Sequence, residues 1–267
     1  MNSRICRIVG AAIVASAMSV AAQTSPASAT PAADMAPMQT PANVALIYSN
    51  QPKGGGIRQY EQGRKKHMAW HRSQKDPWTW YVWEIMTGDH TGGYTVGTLN
   101  HSWKDLDGRE EFEAADSADS AVNLAPFETH SQLQYYIYRK DLSTAPNDQA
   151  PAPLSSITIF EVKPEGVGDF VASIKKINEG IQKTNYGTRS AWYTLANGGQ
   201  GPQFVLVQER KNFAAMQAQD KSLDAMMKEA FGDEGTAVLK TLRNSYRSNY
   251  SQLLRYRPDL SYVPAPK

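Results

Sequence analysis

The chain of 267 residues has a single cysteine, Cys6, and that residue lies in an N-terminal stretch with the layout of an export signal. Beyond it no disulfide, thiolate nucleophile or Cys-ligated zinc or iron–sulfur centre can be built. Stability must therefore come from the core. Charge of one sign is also lacking, with 28 Lys+Arg against 26 Asp+Glu. Arg4 and Arg7 belong to the signal stretch, which leaves 26 of each sign. A neutral chain without a basic tail offers little for a phosphate backbone to hold, so no nucleic-acid partner is expected. No apolar run reaches the ~20 residues that cross a bilayer, so no membrane span is expected. Gly54-Gly55-Gly56 precedes a helical pattern without a following GKS or GKT, and no GxSxG elbow occurs, which leaves both a phosphate loop and a serine hydrolase without their motifs.

With 41% hydrophobic, 20% charged and 10% aromatic residues, the composition is that of a folded chain large enough to bury a core. Residues 1–22 read as a signal peptide: Arg4 and Arg7 supply a positive start, Ile8–Ala17 is short and apolar, and Val20-Ala21-Ala22 places small residues before a cut at Gln23. This predicts export to the periplasm or the medium. Residues 23–43, rich in Pro, Ala, Thr, Ser and Met without periodicity, read as a disordered leader, and Thr144–Pro153 as a linker.

Between and after these segments lie two blocks, 44–143 and 154–262, that read as copies of one unit. Shifted by 110 positions, the second matches the first from Gly56/Gly166 to Trp103/Phe213 without a gap, with Ile57/Val167, Tyr60/Phe170, Trp83/Tyr193 and Val96/Leu206 keeping the apolar pattern. At a shift of 118, YYIYRKDLS (135–143) faces LLRYRPDLS (253–261), five of nine positions being identical. In each block an apolar strand (44–49, 157–162) precedes a helix of 3.6-residue spacing (57–73, 167–184). Two β-branched and aromatic runs follow across a Gly-rich turn, then helical segments (110–115 with 122–127; 213–231 with 237–246) and a last strand (132–139, 250–256). The order β-α-β-β-α-β is that of the ferredoxin-like unit, so the fold class is α+β with two tandem repeats. Trp80, Val82 and Met86 point to one face of their strand and Tyr81, Trp83 and Ile85 to the other. Both faces must be covered, one by helices and the other most simply by the sheet of the other block.

On this element order the sequence resembles the dimeric α/β-barrel superfamily in a tandem form, the group holding NIPSNAP-type proteins, antibiotic-biosynthesis-type monooxygenases and haem-binding chlorite dismutases. The resemblance implies two ferredoxin-like sheets closed face to face within one chain. Such a chain carries its own barrel partner, and a monomer or a homodimer is expected.

The candidate site lies where the copies disagree. The first helix of the second block carries Phe170, Ile174, Ile177 and Ile181 on its core stripe, where the first block has Tyr60, Arg64, His67 and His71. These polar residues either line a pocket or face water on a rotated helix. All five histidines and five of the six tryptophans lie in the first block, the composition of a small-ligand site. Tyr60, Arg64, His67, His71, Trp80 and Glu84 are the candidate ligand-binding residues, with Glu84 able to balance Arg64. His67 and His71, at i and i+4, have a metal-binding spacing, but the HExxH glutamate is missing and no third ligand is identifiable, so no metal is assigned. The resemblance implies a haem with an axial His in the second block, which has none; a haem on the first-block helix stays open, and otherwise no cofactor is expected. It also implies a cofactor-free oxygenase set, for which Tyr60, His67, His71, Trp80 and Asn100 match by residue type. The favoured function is an exported module binding a small, partly aromatic ligand in the first repeat. The alternatives are an oxygenase or haem enzyme at that position, and a structural protein with both repeats filled.

Overall fold

Two strands with apolar side chains on both faces have to be sandwiched, and the way the chain does this determines its architecture. The computed structural model describes residues 42–147, 150–217 and 220–265. The first block runs β1 (Val44–Pro52), α1 (Ile57–Ser73), β2 (Tyr81–Ile85), β3 (Tyr94–His101), a short α2 (Trp103–Asp107), α3 (Glu110–Asn123) and β4 (Glu128–Tyr138). The second runs β5 (Leu154–Val162), α4 (Val167–Lys183), β6 (Ala191–Asn197), β7 (Gln203–Arg210), α5 (Leu223–Phe231), α6 (Asp233–Ser245) and β8 (Tyr246–Tyr256). The signal expected over 1–22, the leader as far as residue 41, and Asp148 and Gln149 of the linker lie outside the described residues.

The eight strands close into a barrel in the order β1-β3-β2-β8-β5-β7-β6-β4, all pairs antiparallel. Half of that circle, β4-β1-β3-β2, is the sheet of the first block, and β8-β5-β7-β6 repeats the order for the second. At the two seams, each block's second strand pairs with the other block's last strand. Trp83, Glu84 and Ile85 face Tyr256, Arg255 and Leu254, while Tyr136, Ile137 and Tyr138 face Leu195, Thr194 and Tyr193. Closure leaves no strand edge unpaired. The fold is therefore a dimeric α/β barrel made by two tandem ferredoxin-like repeats of one chain.

Alternation along the strands sorts the core into inner and outer layers. Inside the barrel, Ala45, Tyr136 and Val205 meet Ile47, Ile157, Ile159 and Val207, and Trp83 meets Ile85 and Leu254. Outside, α4 lays Phe170, Ile174 and Ile177 on Trp192 and Phe204, with Met226, Met227 and Leu239 completing the layer. Each such side chain contributes about 1.5–3 kcal/mol on burial. On the first block, Tyr60 and Met68 of α1 meet Trp80, Val82, Tyr94 and Val96. The C-terminal tail closes this layer: Tyr262 pairs with Trp80 as a β-bridge and its hydroxyl donates to the Asp76 carbonyl at 2.8 Å.

One departure from the sequence expectation shapes the site. The helical pieces expected at 110–115 and 122–127 are one helix, α3, followed by a single 3-10 turn at Ala125–Phe127. Gly63 lets α3 approach: a Cβ there would stand 1.9 Å from the Asn123 carbonyl oxygen. Its counterpart, Ser173, places its hydroxyl 3.5 Å from the Val238 carbonyl oxygen of α6.

Candidate functional site

The sequence leaves Arg64, His67 and His71 either in a pocket or in water. All three face the sheet and are at least 96% buried, as is Tyr60. They divide into two hydrogen-bonded groups. In the first, Arg64 Nη2 donates to the Tyr60 hydroxyl at 2.8 Å and to Asn50 Oδ1 at 3.4 Å, while Asn50 Nδ2 donates to Glu128 Oε2 at 3.0 Å. Burial raises the Glu128 carboxyl above its ordinary range, and the nearby Arg64 charge opposes this. The partner the sequence offers for Arg64, Glu84, stands elsewhere. It lies at the seam, 3.4 Å from Arg257 Nη1 and 3.9 Å from Arg255 Nη1. The sequence carries no information on the register between the two sheets, and that register puts Arg255 of β8 and Arg257 just beyond it beside Glu84.

The second group is built on the two histidines. His67 Nε2 and His71 Nε2 are 3.3 Å apart, and Asp116 Oδ1 of α3 lies 3.2 Å from the first and 3.5 Å from the second. The far side of each ring meets another carboxylate: His67 Nδ1 is 2.7 Å from Asp119 Oδ2, and His71 Nδ1 is 2.9 Å from Asp76 Oδ2. Asp116 and Asp119, three apart, share one face of α3. Asp76 is tied further, accepting from Trp80 Nε1 at 2.9 Å, Arg109 Nη1 at 2.9 Å and the Trp78 backbone N–H at 3.1 Å. Arg109 in turn lies over the Trp78 ring at 3.8 Å and the Phe112 ring at 4.2 Å. Trp70, Trp80, Phe112 and Tyr262 wall in the His71 ring.

These surroundings perturb the charges. Burial opposes ionisation of Asp76, but hydrogen bonds from His71, Arg109, Trp80 and Trp78 outweigh it and hold the carboxyl far below its ordinary range. Burial pushes Asp116 up to about 6, with Glu113 and Asp76 adding to the rise and His71 and Arg109 opposing it. Burial and the Arg64 charge together depress His67, against the pull of Asp119.

Of the six residues expected from the sequence, the structure thus joins Tyr60 with Arg64, and His67, His71 and Trp80 in a neighbouring network; Glu84 belongs to neither. Asn100 bonds to Asn147 instead. Asp76, Arg109, Asp116 and Asp119 complete the network and were not expected. A haem is poorly served on α1, because both Nε2 atoms face each other and Asp116 within a packed shell.

Room for an organic molecule exists inside the barrel. A cavity of about 480 Å³ lies between the two sheets. Its walls include Ile47, Ile157, Ile159, Val205, Val207 and Trp83, with Gln132, Gln134, Gln252, His90 and His130 among its polar residues. Linker residues Ala145, Pro146, Asn147 and Pro151 also contribute. None of the six expected site residues lines it.

No family model and no curated protein matches the chain. Solved structures do match it. A monooxygenase candidate from Lactobacillus acidophilus is 12% identical with a TM-score of 0.51, covering 85% of this chain and 97% of its own. An anthrone oxidase-like protein is 14% identical with a TM-score of 0.50, covering 81% and 92%. A variant chlorite dismutase of Candidatus Nitrospira defluvii is 11% identical with a TM-score of 0.50, covering 82% and 92%. These likenesses bear out the dimeric α/β-barrel fold.

Proposed function

We propose that this protein is an exported barrel that holds a small, mainly apolar and partly aromatic molecule in its interior. The observation that carries this reading is the 480 Å³ cavity between the sheets, of the size and apolar lining usual for small-ligand sites. The helix–sheet layer under α1, where the sequence suggested the ligand, is packed with side chains. The ligand therefore moves inward, to a wall shared by both repeats. Among the described residues no helix is long and apolar enough to cross a membrane. Export rests on residues 1–22, and N-terminal sequencing of the protein recovered outside the cytoplasm would find the chain starting near Gln23. The barrel closes within one chain, so a monomer suffices for it, and a homodimer would add contacts outside the barrel.

An oxygenase, the class for which one of the similar structures is named, shares the fold. Tyr60, His67, His71 and Trp80 do not reach the cavity, so an oxidation there would have to use other groups.

The test is a thermal-shift screen of neutral aromatic compounds, followed by titration of the quenching of Trp83, the one tryptophan on the cavity wall. Ile159→Trp fills the space from the wall and should abolish the response. Retention of every response in that variant, or no response by the wild type to any compound, would remove this reading.

A further inference from the structure

The space between the α1 histidines and α3 has the size of an ion, and its chemistry is independent of the barrel cavity. We propose that His67 Nε2, His71 Nε2 and Asp116 Oδ1 form a binding site for one divalent first-row transition-metal ion, zinc being the best match.

The first ground is where the protons lie. Asp119 and Asp76 can only accept, so each histidine places its N–H on Nδ1, at 2.7 and 2.9 Å from those carboxylates. Both Nε2 atoms are then bare lone pairs, and they face each other at 3.3 Å. The third atom of the triangle, Asp116 Oδ1, is buried and has no hydrogen-bond donor. Three acceptors thus converge, an arrangement that repels itself until a proton or a metal ion stands among them.

The second ground is metric. Zinc bound by imidazole or carboxylate at ~2.0–2.1 Å in a tetrahedron requires ligand atoms about 3.3–3.4 Å apart. The three edges here are 3.2, 3.3 and 3.5 Å. Two imidazoles and one carboxylate are donors that zinc and its neighbours in the row accept.

The third ground is the support around the ligands. An imidazole that binds a metal usually gives its other N–H to a carboxylate, which fixes the ring and raises its basicity. Both rings do so here, and Asp76 is itself held by Arg109, Trp80 and Trp78. The charges agree in sign: Asp76, Glu113, Asp116, Asp119 and Glu128 outnumber Arg64 and Arg109, leaving net negative charge for a divalent ion.

The fold itself makes no demand for these residues. The second repeat builds the same helix with Ile177 and Ile181 in place of the histidines, and Ile177 is buried against the sheet. The histidines are an addition to a scaffold that packs without them.

The test uses the full mature chain, stripped with a chelator and titrated with Zn²⁺ by calorimetry and with Co²⁺ by visible absorption. One equivalent of zinc should bind, raising the melting temperature, and cobalt should give the intense bands of a low-coordinate site. Asp116→Asn, close in shape, should weaken binding by at least ~100-fold while folding as the wild type does by circular dichroism. Asp119→Asn, which touches the back of His67 and none of the three ligand atoms, should weaken it by about 10–100-fold. A double change of His90 and His130 to Gln should leave zinc binding unaltered, separating this site from the exposed histidines of the cavity wall. His67→Gln serves in the same role if D116N does not fold. Absence of stoichiometric binding by the wild type overturns the proposal, as does wild-type affinity in D116N or, should that variant not fold, in H67Q. Zinc binding that survives in Ile159→Trp would show the site to be independent of the cavity reading.

Discussion

Replacing His67 and His71 together by isoleucine, the residue at both counterpart positions of the second repeat, separates what the sequence suggests from what the structure requires. Judged by the copies alone, the swap exchanges two buried polar groups for apolar ones at places the fold accepts, and stability should hold or rise. The surroundings reverse that sign. In the second repeat Ile177 and Ile181 pack in an apolar cluster, whereas here Asp119 and Asp76 each lose a hydrogen bond from an imidazole N–H and Asp116 stays buried without a donor. Two hydrogen bonds to charged groups are worth about 1.5–3 kcal/mol each. Two isoleucines return only part of this, because the imidazoles they replace are already buried and only the added apolar surface counts. Asp76 keeps Arg109, Trp80 and Trp78, so the loss falls mainly on α3. A net cost of roughly 2 kcal/mol, or about 4–8 °C in melting temperature for a chain of this size, is expected. Circular dichroism melts in chelator measure it without any contribution from bound metal. Adding Asp116→Ala and Asp119→Ala should recover most of the loss, because removing both partners of a buried bond is far less costly than removing one. A double variant that melts at or above the wild type in chelator would refute the reasoning.

Three further expectations are open to direct measurement. Arg109→Ala breaks the buried pair with Asp76 and the stacking on Trp78 and Phe112; urea unfolding should show a loss of about 3–5 kcal/mol, and Arg109→Lys should not restore it, because an ammonium lacks the planar fork. Asp76 has a folded-state pKa held below its unfolded value, so its stabilisation is complete above about pH 4 and fades as the pH falls below that. Asp76→Asn should therefore flatten the acid side of the stability profile, and equal slopes below pH 4 would count against the assignment. Gly63→Ala places a methyl 1.9 Å from the Asn123 carbonyl. It should push α3 off α1, costing about 1–3 kcal/mol and lowering zinc affinity, since Asp116 rides on that helix.

The fold could be read from the sequence because the unit is written twice. Strand order, hairpin turns and the two-faced apolarity of residues 80–86 required a second sheet, and the barrel supplies one. The site was half legible. Arg64, His67 and His71 stood out against three isoleucines, but their partners did not. In EEFEAADSADSAVN the Asp-Ser runs favour turns when exposed; here they stay helical, with Asp116 and Asp119 meeting the histidines of α1. Tyr262 and the register that sets Glu84 beside Arg257 depend on how one repeat's end crosses to the other, and no local pattern encodes that. The cavity was hidden for a related reason. Apolar alternation marks the inner face of each strand, while the void depends on how far two such faces stand apart.

The claim that bears most weight is that α1 of the first repeat, alone of the two copies, is built to hold a metal ion. X-ray diffraction at the zinc absorption edge, on crystals of the zinc-loaded full mature chain, tests it most directly. The account predicts a single strong anomalous peak within bonding distance of His67 Nε2, His71 Nε2 and Asp116 Oδ1, with no counterpart beside Ile177 and Ile181. Anomalous density confined to His90, His130 or other surface groups, with the three ligand atoms still 3.2–3.5 Å apart and nothing between them, would contradict it.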